Sequence, residues 1–390
     1  MRVLWVTENH PPSRGGMAQS SDRIVAGLRG AGVAVDVVQL RRTETASVGP
    51  EPRPRRGVGG RHLDVALRPD PEHALHRAWV AVSAMAAEER PTHVVAFGGT
   101  HPILAAPVWA AWLDRPLLTL FRGNDLHTGL FSLRRRPIVI EAIRRSAAVC
   151  VVSSDDASLV SALEAGAAVH HVANGLDVTG WAALPSEVEA ARRWREDHVL
   201  ADRRLIGVFG QLKAKKGVGL LLRAVARSPV RDHLHLVLVG DLEPGVAAWL
   251  EDHPEVARSV VPFLDRYELL SLLPACDAVA LPSAYDGLPN VALEALALGR
   301  PLLCSTAGGL GDVVAAGDAT GSPVAWSFAP GDEVGCAAAL AELVAAPGDE
   351  VVRRGQAGAA LVRHRFTAAA ERDGYLAVLA ETAAAPDGHR

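Results

Sequence analysis

Two carboxylates, Asp286 and Glu294, lie in a segment whose residue types suit the binding of a polyhydroxylated ligand. Leu281–Pro301 reads as the end of an apolar strand, a Gly-Leu-Pro turn that presents Asp286, and a helix that carries Glu294 on an otherwise apolar face. A buried carboxylate is costly unless hydrogen bonds compensate it, and sugar hydroxyl groups would do so. A capping role would explain Glu294, but not Asp286, the turn and the following Gly308 and Gly309 together.

A lysine-rich turn precedes this segment in the chain. Phe209–Gly217 follows an apolar strand, opens a helix and contains Lys213, Lys215 and Lys216. Ammonium groups at this position would neutralise a departing diphosphate. A solvated basic turn would have the same composition, so these residues alone leave both interpretations open.

A glycine pair, Gly15 and Gly16, lies between the first strand and the first helix. Glycine lets backbone N–H groups and a helix N-terminus approach a phosphate closely. The pattern lacks the third glycine of the dinucleotide-binding fingerprint, which argues against NAD. The pair therefore indicates a turn that binds a phosphate group, but it does not identify the ligand.

The elements that must position these residues alternate between strand and helix. The strands are predicted at Val3–Val6, Val33–Leu40, Val94–Phe97, Leu117–Phe121 and Ala148–Val152, and again at Leu205–Phe209, Leu234–Val239, Ala278–Leu281 and Pro301–Cys304. Short right-handed crossovers make such strands parallel. The predicted fold class is α/β, with two doubly wound, Rossmann-like domains whose ligand-binding edges face a cleft.

The length of 390 residues supports two domains, because single cores stop growing at roughly 250 to 300 residues. We predict an N-terminal domain at residues 1–180 and a C-terminal domain at residues 181–365. Residues 366–390 are predicted to end the chain with an amphipathic helix at Thr367–Thr382. Further helices are predicted at Ser186–His198 and from near Asn290.

Composition excludes several other classes. The net charge of −4 argues against general nucleic-acid binding. The cysteines show neither metal-ligand nor disulfide spacing and are predicted to be core residues: Cys150, Cys276, Cys304 and Cys336. The longest apolar run, Pro102–Leu113, is shorter than the roughly 20 residues of a bilayer span and is predicted to be a buried helix. An acidic Glu8 where a secretory leader would be apolar indicates a cytoplasmic protein without stable membrane insertion.

Two arginine-rich stretches leave alternatives open. Arg41–Arg61 lacks apolar periodicity and is rich in Pro, Gly and Arg, so it is either a surface loop or a cationic loop that receives an anionic or bulky acceptor. Arg134–Arg136, before Pro137, is either a solvated helix start or part of a polyanion-binding surface.

Taken together, these motifs resemble the family 4 retaining glycosyltransferases of the GT-B fold. The family signature places two glutamates with seven residues between them, in a context such as Ser-x-x-Glu-Gly-Leu-Pro-Asn-x-x-x-Glu-Ala, and Asp286 and Glu294 occupy those positions. The resemblance covers nearly the whole chain, through Gly15–Gly16, Asn174–Asp177, Lys216–Gly217, Gly308–Gly309 and the last helix. It implies that residues 1–180 bind the acceptor, that residues 181–365 bind a nucleotide-diphosphate sugar donor, and that the C-terminal helix returns to the first domain.

The resemblance implies a role for each matched residue. Glu294 would hold the donor ribose, Asp286 would touch the donor sugar, and Lys216 would bind the diphosphate. The remaining donor-binding residues would be Gly15, Gly16, Gln211, Lys213, Gly287, Leu288, Gly308 and Gly309. No metal or separate cofactor is expected, because lysine and helix N-termini stabilise the departing charge, and UDP or GDP is the expected nucleotide. Retention implies attack from the face that the nucleotide leaves, without a carboxylate nucleophile.

Three positions depart from the family pattern. Asp286 is one methylene shorter than the usual glutamate, and Gln211 replaces the usual phosphate-binding arginine. Arg122 replaces the active-site histidine, and since a guanidinium cannot act as a base, we expect it to bind a phosphate or carboxylate of donor or acceptor. His101 is a candidate catalytic residue facing the cleft, or else a structural histidine.

The expected activity is metal-independent transfer of a sugar to a small-molecule acceptor, anionic acceptors included. Two alternatives follow from the same residues. The departures at Asp286, Gln211 and Arg122 fit a nucleotide-sugar-binding protein without turnover, whereas the arginine-rich stretches fit a transferase whose acceptor is a nucleic acid or another polyanion.

Overall fold

The chain forms two units, each with its own sheet and hydrophobic core, in a computed structural model that describes residues 1–42 and 54–384. One unit comprises Met1–Asn174 and the C-terminal helix, and the other comprises Gly175–Thr367. Both sheets consist mostly of parallel strands. The predicted α/β class with two doubly wound sheets is confirmed.

The first sheet has, among the described residues, the strand order β3-β4-β2-β1-β5-β6-β7-β8. Its strands are β1 Arg2–Thr7, β2 Ala34–Arg41, β3 Arg55–Gly57, β4 Gly60–Ala66, β5 His93–Phe97, β6 Leu117–Leu120, β7 Ala148–Val151 and β8 Val169–His171. Only β3 is antiparallel to its neighbour in this part of the chain. The direction of growth changes between β1 and β5, which are paired side by side, so that edge is the topological switch point.

The second sheet has, within the described ranges, the order β11-β10-β9-β12-β13-β14. Its strands are β9 Arg204–Phe209, β10 Leu234–Val239, β11 Arg258–Val261, β12 Ala278–Leu281, β13 Leu302–Ser305 and β14 Ala325–Phe328. The inner strands are short, wholly buried apolar runs because helices cover both faces. Here the switch point lies between β9 and β12.

Helices connect the strands. In the first unit they are α1 Gly16–Gly30, α2 Pro71–Glu88, α3 Thr100–Leu113, α4 Asn124–Leu130, α5 Arg136–Arg145 and α6 Ser154–Leu163. In the second they are α7 Pro185–His198, α8 Val218–Arg227, α9 Pro244–Asp252, α10 Asn290–Ala297, α11 Gly309–Ala319, α12 Glu333–Ala345 and α13 Gly348–Arg365, and α14 Ala368–Ala384 ends the described chain. In the described ranges, no helix has the length and apolarity that a membrane crossing requires.

Several local predictions are confirmed. Residues 102–113 form most of the largely buried α3, and the predicted helices at 186–198 and 367–382 correspond to α7 and α14. All four cysteines are free and buried, and burial raises the pKa of each thiol to about 12. Such thiols stay protonated and unreactive at neutral pH.

Only the two ends of the arginine-rich stretch Arg41–Arg61 lie among the described residues. Residues 43–53, with Arg53, lie outside the described residues, but β3 and the start of β4 fall within the stretch. Arg61 is buried, and its guanidinium lies 2.8 Å from Asp36 on β2. Burial by itself would raise the pKa of Asp36, but hydrogen bonds from Arg61 and Arg2 hold it below its usual value. Strand β4 was not predicted from the sequence, because its stability comes from its pairing with β2 rather than from local apolar periodicity.

The remaining described arginines of the stretch are also paired with carboxylates. Arg41 and Arg55 contact Asp64, Arg42 contacts Glu8, and Arg56 contacts Glu88. These carboxylates compensate part of the positive charge, while the side chains of Arg55 and Arg56 stay 72% and 75% exposed.

The C-terminal helix α14 belongs to the core of the first unit. It contacts α1, and Tyr375, Val378 and Leu379 are buried in the same cluster as Trp5 and Phe97. Arg23 on α1 also forms a buried ion pair with Glu371 at 2.6 Å. The helix therefore completes a core whose strands lie more than 200 residues earlier in the chain.

Candidate functional site

Three loops meet at the carboxyl edge of the second sheet. They follow the neighbouring strands β9, β12 and β13, and each leads into the N-terminus of a helix, α8, α10 or α11. This edge includes the switch point, where doubly wound sheets open a crevice for ligands. Most residues predicted to bind the donor lie on these loops: Gln211, Lys213, Lys216, Asp286, Gly287, Leu288, Gly308 and Gly309.

The first two loops are in direct contact. The Ala284 backbone N–H donates to the Lys215 carbonyl oxygen at 3.1 Å. Gly217, with φ of 69°, turns the chain beside Pro282, where a Cβ atom would lie 1.7 Å from the Pro282 carbonyl oxygen. Only glycine permits that approach, so the lysine turn is held against the loop that carries Asp286.

Asp286 lies where these loops join. Its carboxylate forms an ion pair with the Lys216 ammonium group, and one of its oxygens accepts from the Gly287 N–H at 3.1 Å. The Ser283 hydroxyl is 3.4 Å from the other oxygen. The pair spans the switch point, and both side chains keep partial exposure, 31% for Lys216 and 19% for Asp286. A ligand phosphate or hydroxyl can therefore reach both groups.

The third loop is fixed to the second by glycine. The Gly309 N–H, at the start of α11, donates to the Gly287 carbonyl oxygen at 2.7 Å. At Gly308, with φ of 53°, a Cβ atom would lie 1.9 Å from the Asp286 carbonyl oxygen. The two glycines thus hold the Asp286 turn against the N-terminus of α11, where the helix dipole favours an anion.

Glu294 lies in α10, one turn from its start, and is 6% exposed. Its backbone carbonyl oxygen accepts a hydrogen bond from the Trp181 indole N–H at 2.9 Å. This bond links α10 to the segment after Gly175. A carboxylate at this depth needs strong hydrogen-bond donors, from the protein or from a ligand.

The polar residues beside Lys216 on this turn differ in their surroundings. Gln211 and Lys213 are exposed, whereas Lys215 is partly buried. Burial, with the neighbouring Lys216 charge, lowers the pKa of Lys215. A bound phosphate would oppose this shift by stabilising the charged ammonium group. Together with three helix N-termini, the turn supplies the positive potential that binding of a diphosphate requires.

Gly15, Gly16, His101 and Arg122, which were also predicted as site residues, lie in the first unit. Gly15, with φ of 108°, precedes α1, and no atom of the described chain lies within 4 Å of the position that a Cβ atom would take there. The position therefore has open space beside the N-terminus of α1. The phosphate-binding role of this turn stays a prediction.

His101 opens α3 and is held by a carboxylate that sequence reasoning did not select. Glu8 accepts from the His101 backbone N–H at 2.8 Å and lies 2.6 Å from the ring Nδ1. Burial by itself would raise the pKa of Glu8, but the bonds from His101 and the charge of Arg42 hold it below its usual value. Glu8 follows β1 and His101 follows β5, so this pair spans the switch point of the first sheet. A charged residue directly after a buried strand was the signal that would have found Glu8.

Arg122 does not take the ligand-binding position that we expected. Its side chain is 4% exposed and donates to the Tyr375 hydroxyl at 2.7 Å and to the Asn174 side-chain oxygen. It also lies 3.7 Å from Glu371 and over the Phe97 ring. The guanidinium is thus directed at α14, and the structure assigns it a packing role within the first unit.

A cavity of about 180 Å³ lies in the first unit, at the N-terminal turns of α3, α4 and α5. Ile103, Ile138 and Val139 form an apolar wall, whereas Asp125 and Arg135 provide polar groups. Burial raises the pKa of Asp125 to about 6, although its carboxylate accepts from the Arg122 backbone N–H. The cavity was not predicted, because its lining residues come from several helices that are distant in sequence.

Two family models together match most of the chain. The family described as Glycosyl transferase 4-like domain matches residues 15–175, and the family described as Glycosyl transferases group 1 matches residues 203–346. Glycogen synthase from Mycobacterium tuberculosis is 30% identical over 383 residues, which span 89% of this chain and 87% of that protein. A D-inositol 3-phosphate glycosyltransferase from Corynebacterium diphtheriae is 35% identical over 187 residues, 43% of this chain and 40% of that protein.

Two solved structures share the fold. Sucrose-phosphate synthase from Thermosynechococcus elongatus has a TM-score of 0.77 at 18% identity, with 98% of this chain and 100% of that chain covered. HepE from Anabaena, solved in complex with UDP and glucose, has a TM-score of 0.74 at 18% identity, with the same coverage.

Proposed function

The chain belongs to the family 4-like glycosyltransferases of the GT-B fold, and on that premise we propose that it transfers a sugar from a nucleotide-diphosphate donor with retention of anomeric configuration. The observation that carries the proposal is the Lys216–Asp286 pair at the switch point of the second sheet, beside the buried Glu294. This arrangement combines a cation for phosphate with carboxylates for hydroxyl groups.

The donor is proposed to bind the second unit. Glu294 would accept hydrogen bonds from the ribose hydroxyls, Asp286 would contact the sugar, and Lys216 would bind the diphosphate. UDP is the nucleotide we favour, supported by the UDP and glucose in the HepE complex. Gln211 lies on the same exposed turn and would contribute an amide where the family has an arginine.

The transfer is proposed to need no metal ion. Lys216, with Lys213 and Lys215, and the N-termini of α8, α10 and α11 supply positive charge where the diphosphate departs. The acceptor hydroxyl would attack from the face that the nucleotide leaves, and a diphosphate oxygen would accept its proton. No side-chain carboxylate is then required as a nucleophile.

The acceptor is proposed to be a small molecule bound in the first unit. The cavity of about 180 Å³, with its apolar wall and polar groups, would receive part of a compact acceptor. Arg135 on its wall fits an acceptor with an acidic substituent.

The donor proposal is tested by thermal shift with UDP, GDP and ADP in the presence of EDTA. We expect one diphosphate to stabilise the second unit at millimolar concentration, because a ligand that binds only the folded state raises its stability. Stabilisation by none of the three would contradict the proposed donor site.

The reaction itself is tested with the matching sugar nucleotide and a panel of small acceptors. We expect product formation to continue in EDTA, and NMR of the product to show the anomeric configuration of the donor. An inverted product, or activity that returns only with added divalent metal, would refute the corresponding part of the proposal.

A further inference from the structure

One short segment of the first unit, Phe131–Arg136 between α4 and α5, contains side chains that the fold leaves unused. Phe131 is 92% exposed and Leu133 is 95% exposed. Two large apolar side chains almost wholly in water, within three residues, contribute nothing to the core. Such exposure on a folded domain marks an interaction site when a second feature accompanies it.

The second feature is unpaired positive charge. Arg134 and Arg136 are exposed, and neither guanidinium group has a hydrogen-bond or ion-pair partner among the described residues. Arg135 differs, since it donates to the Thr128 carbonyl oxygen at 3.1 Å. Arg136 also opens α5, whose first turn has no acidic residue, so its charge opposes the helix dipole. These cations are therefore not placed for the stability of the helix.

We propose that Phe131–Arg136 binds the surface of an anionic lipid bilayer. Phe131 and Leu133 would enter the boundary between headgroups and acyl chains, and Arg134 and Arg136 would contact lipid phosphates. A bilayer offers an apolar phase and negative charge within the reach of one short turn, and arginine side chains can span the two. A protein partner would need a wider contiguous apolar face than two projecting side chains.

The segment also adjoins the cavity of the first unit. Arg135 belongs to both, and Ile138 and Val139, in the first turns of α5, line the cavity wall. A bound bilayer would therefore lie beside the cavity opening. Membrane binding does not depend on the proposed transferase activity, and it is measured without any sugar nucleotide.

The test is co-sedimentation of the full chain with sucrose-loaded vesicles at low salt. One set contains phosphatidylcholine alone, and the other contains about one third phosphatidylglycerol. We expect binding to the anionic vesicles to exceed binding to neutral ones about tenfold and to weaken at high salt. The variants F131S/L133S and R134E/R136E should each lose about tenfold of that binding.

Matched controls distinguish this segment from general surface effects. V334S/V352S removes two exposed apolar side chains of the second unit, and R363E/R365E changes the net charge as R134E/R136E does. Both should bind like the wild type, and circular dichroism melting checks that every variant folds. Equal loss in a control and its matched variant, or equal binding by F131S/L133S and the wild type, would overturn the proposal. Self-association that F131S/L133S abolishes, with no vesicle binding by the wild type, would assign the segment to a protein interface instead.

Discussion

At the scale of single residues, the Lys216–Asp286 ion pair is the centre of the candidate donor site. Its members come from loops after two different strands, and Gly217 and Gly308 permit the close backbone contacts that bring the loops together. The Asp286 carboxylate neutralises the Lys216 charge in this pair. A donor diphosphate would compete with that carboxylate for the ammonium group, so Asp286 both positions Lys216 and limits its free charge.

Lys216→Met should weaken binding of the preferred nucleoside diphosphate about tenfold to a hundredfold. A hydrogen bond to a charged group contributes about 1.5 to 3 kcal/mol, and the variant removes it without removing the apolar part of the side chain. Isothermal titration calorimetry gives the affinity. Arg227→Met, in the exposed last turn of α8, is the control and should change affinity less than about threefold. Equal losses in both variants would mean that Lys216 has no specific contact.

Gly308→Ala should abolish nucleotide binding while the chain remains folded. The added Cβ would lie 1.9 Å from the Asp286 carbonyl oxygen, so the loop after β12 must move away from α11. Gly321→Ala is the control, because Gly321 also has positive φ, 72°, but no atom lies within 4 Å of its Cβ position. Gly321→Ala should lose about 1 to 2 kcal/mol in thermal denaturation because of its positive φ, Gly308→Ala should lose more because the loop must also move, and only Gly308→Ala should lose affinity. Retained affinity in Gly308→Ala would show that this loop contact does not shape the site.

At the scale of elements, α14 is attached to the first unit by a buried polar cluster as well as by apolar packing. Arg122, from the loop after β6, contacts Tyr375 and approaches Glu371, which is paired with Arg23 on α1. A charged cluster of this kind is sensitive to the loss of one member, because the remaining charge loses its compensation.

Arg122→Met should lower the unfolding free energy of the first unit by about 3 kcal/mol, the loss typical of a broken buried pair. Urea denaturation followed by hydrogen exchange of α14 measures the effect. Arg372→Met is the control on the same helix, since Arg372 is 37% exposed and pairs only with its neighbour Asp373 among the contacts described. If Arg122→Met left stability intact but reduced acceptor use, Arg122 would return to the ligand-binding role first expected of it.

At the scale of the whole molecule, each unit has a polar pair across the switch point of its own sheet. Glu8 and His101 form the pair in the first unit, and Asp286 and Lys216 form the pair in the second. In both, the residues follow adjacent parallel strands, where the sheet leaves room for a ligand. Both units thus place a carboxylate and a nitrogen-containing side chain at the switch point. The nitrogen belongs to a histidine in the first unit and to a lysine in the second.

Removal of the chain after Thr367 should destabilise the first unit and leave the second unit unchanged. The truncation exposes the pocket that Tyr375, Val378 and Leu379 fill in the first core, and each buried side chain contributes about 1.5 to 3 kcal/mol. Hydrogen exchange with mass spectrometry should show faster exchange in β1 and β2 but not in β9 and β10. Faster exchange in both sheets, or in neither, would contradict the assignment of α14 to the first unit.

The sequence by itself determined the elements and the residue types of the donor site. Continuous apolar runs predicted the central strands of both sheets, and the Asp286–Glu294 segment predicted a strand, a turn and a buried carboxylate in the order observed. These features are local, because a few neighbouring residues are enough to determine an apolar run, a glycine turn or a helix start. Strands such as β4 and β11 were missed, since mixed polar sequence becomes a strand only through its neighbour in the sheet.

Only the tertiary structure decided which partner each polar side chain takes. Arg122 contacts Tyr375 across 253 positions of sequence, Arg61 is buried against Asp36, and Lys216 pairs with Asp286. An arginine or lysine can bind a ligand, a carboxylate of its own chain or water, and local pattern does not distinguish these. The choice follows from which groups the packed cores bring within hydrogen-bond distance and from the cost of leaving a buried charge without a partner.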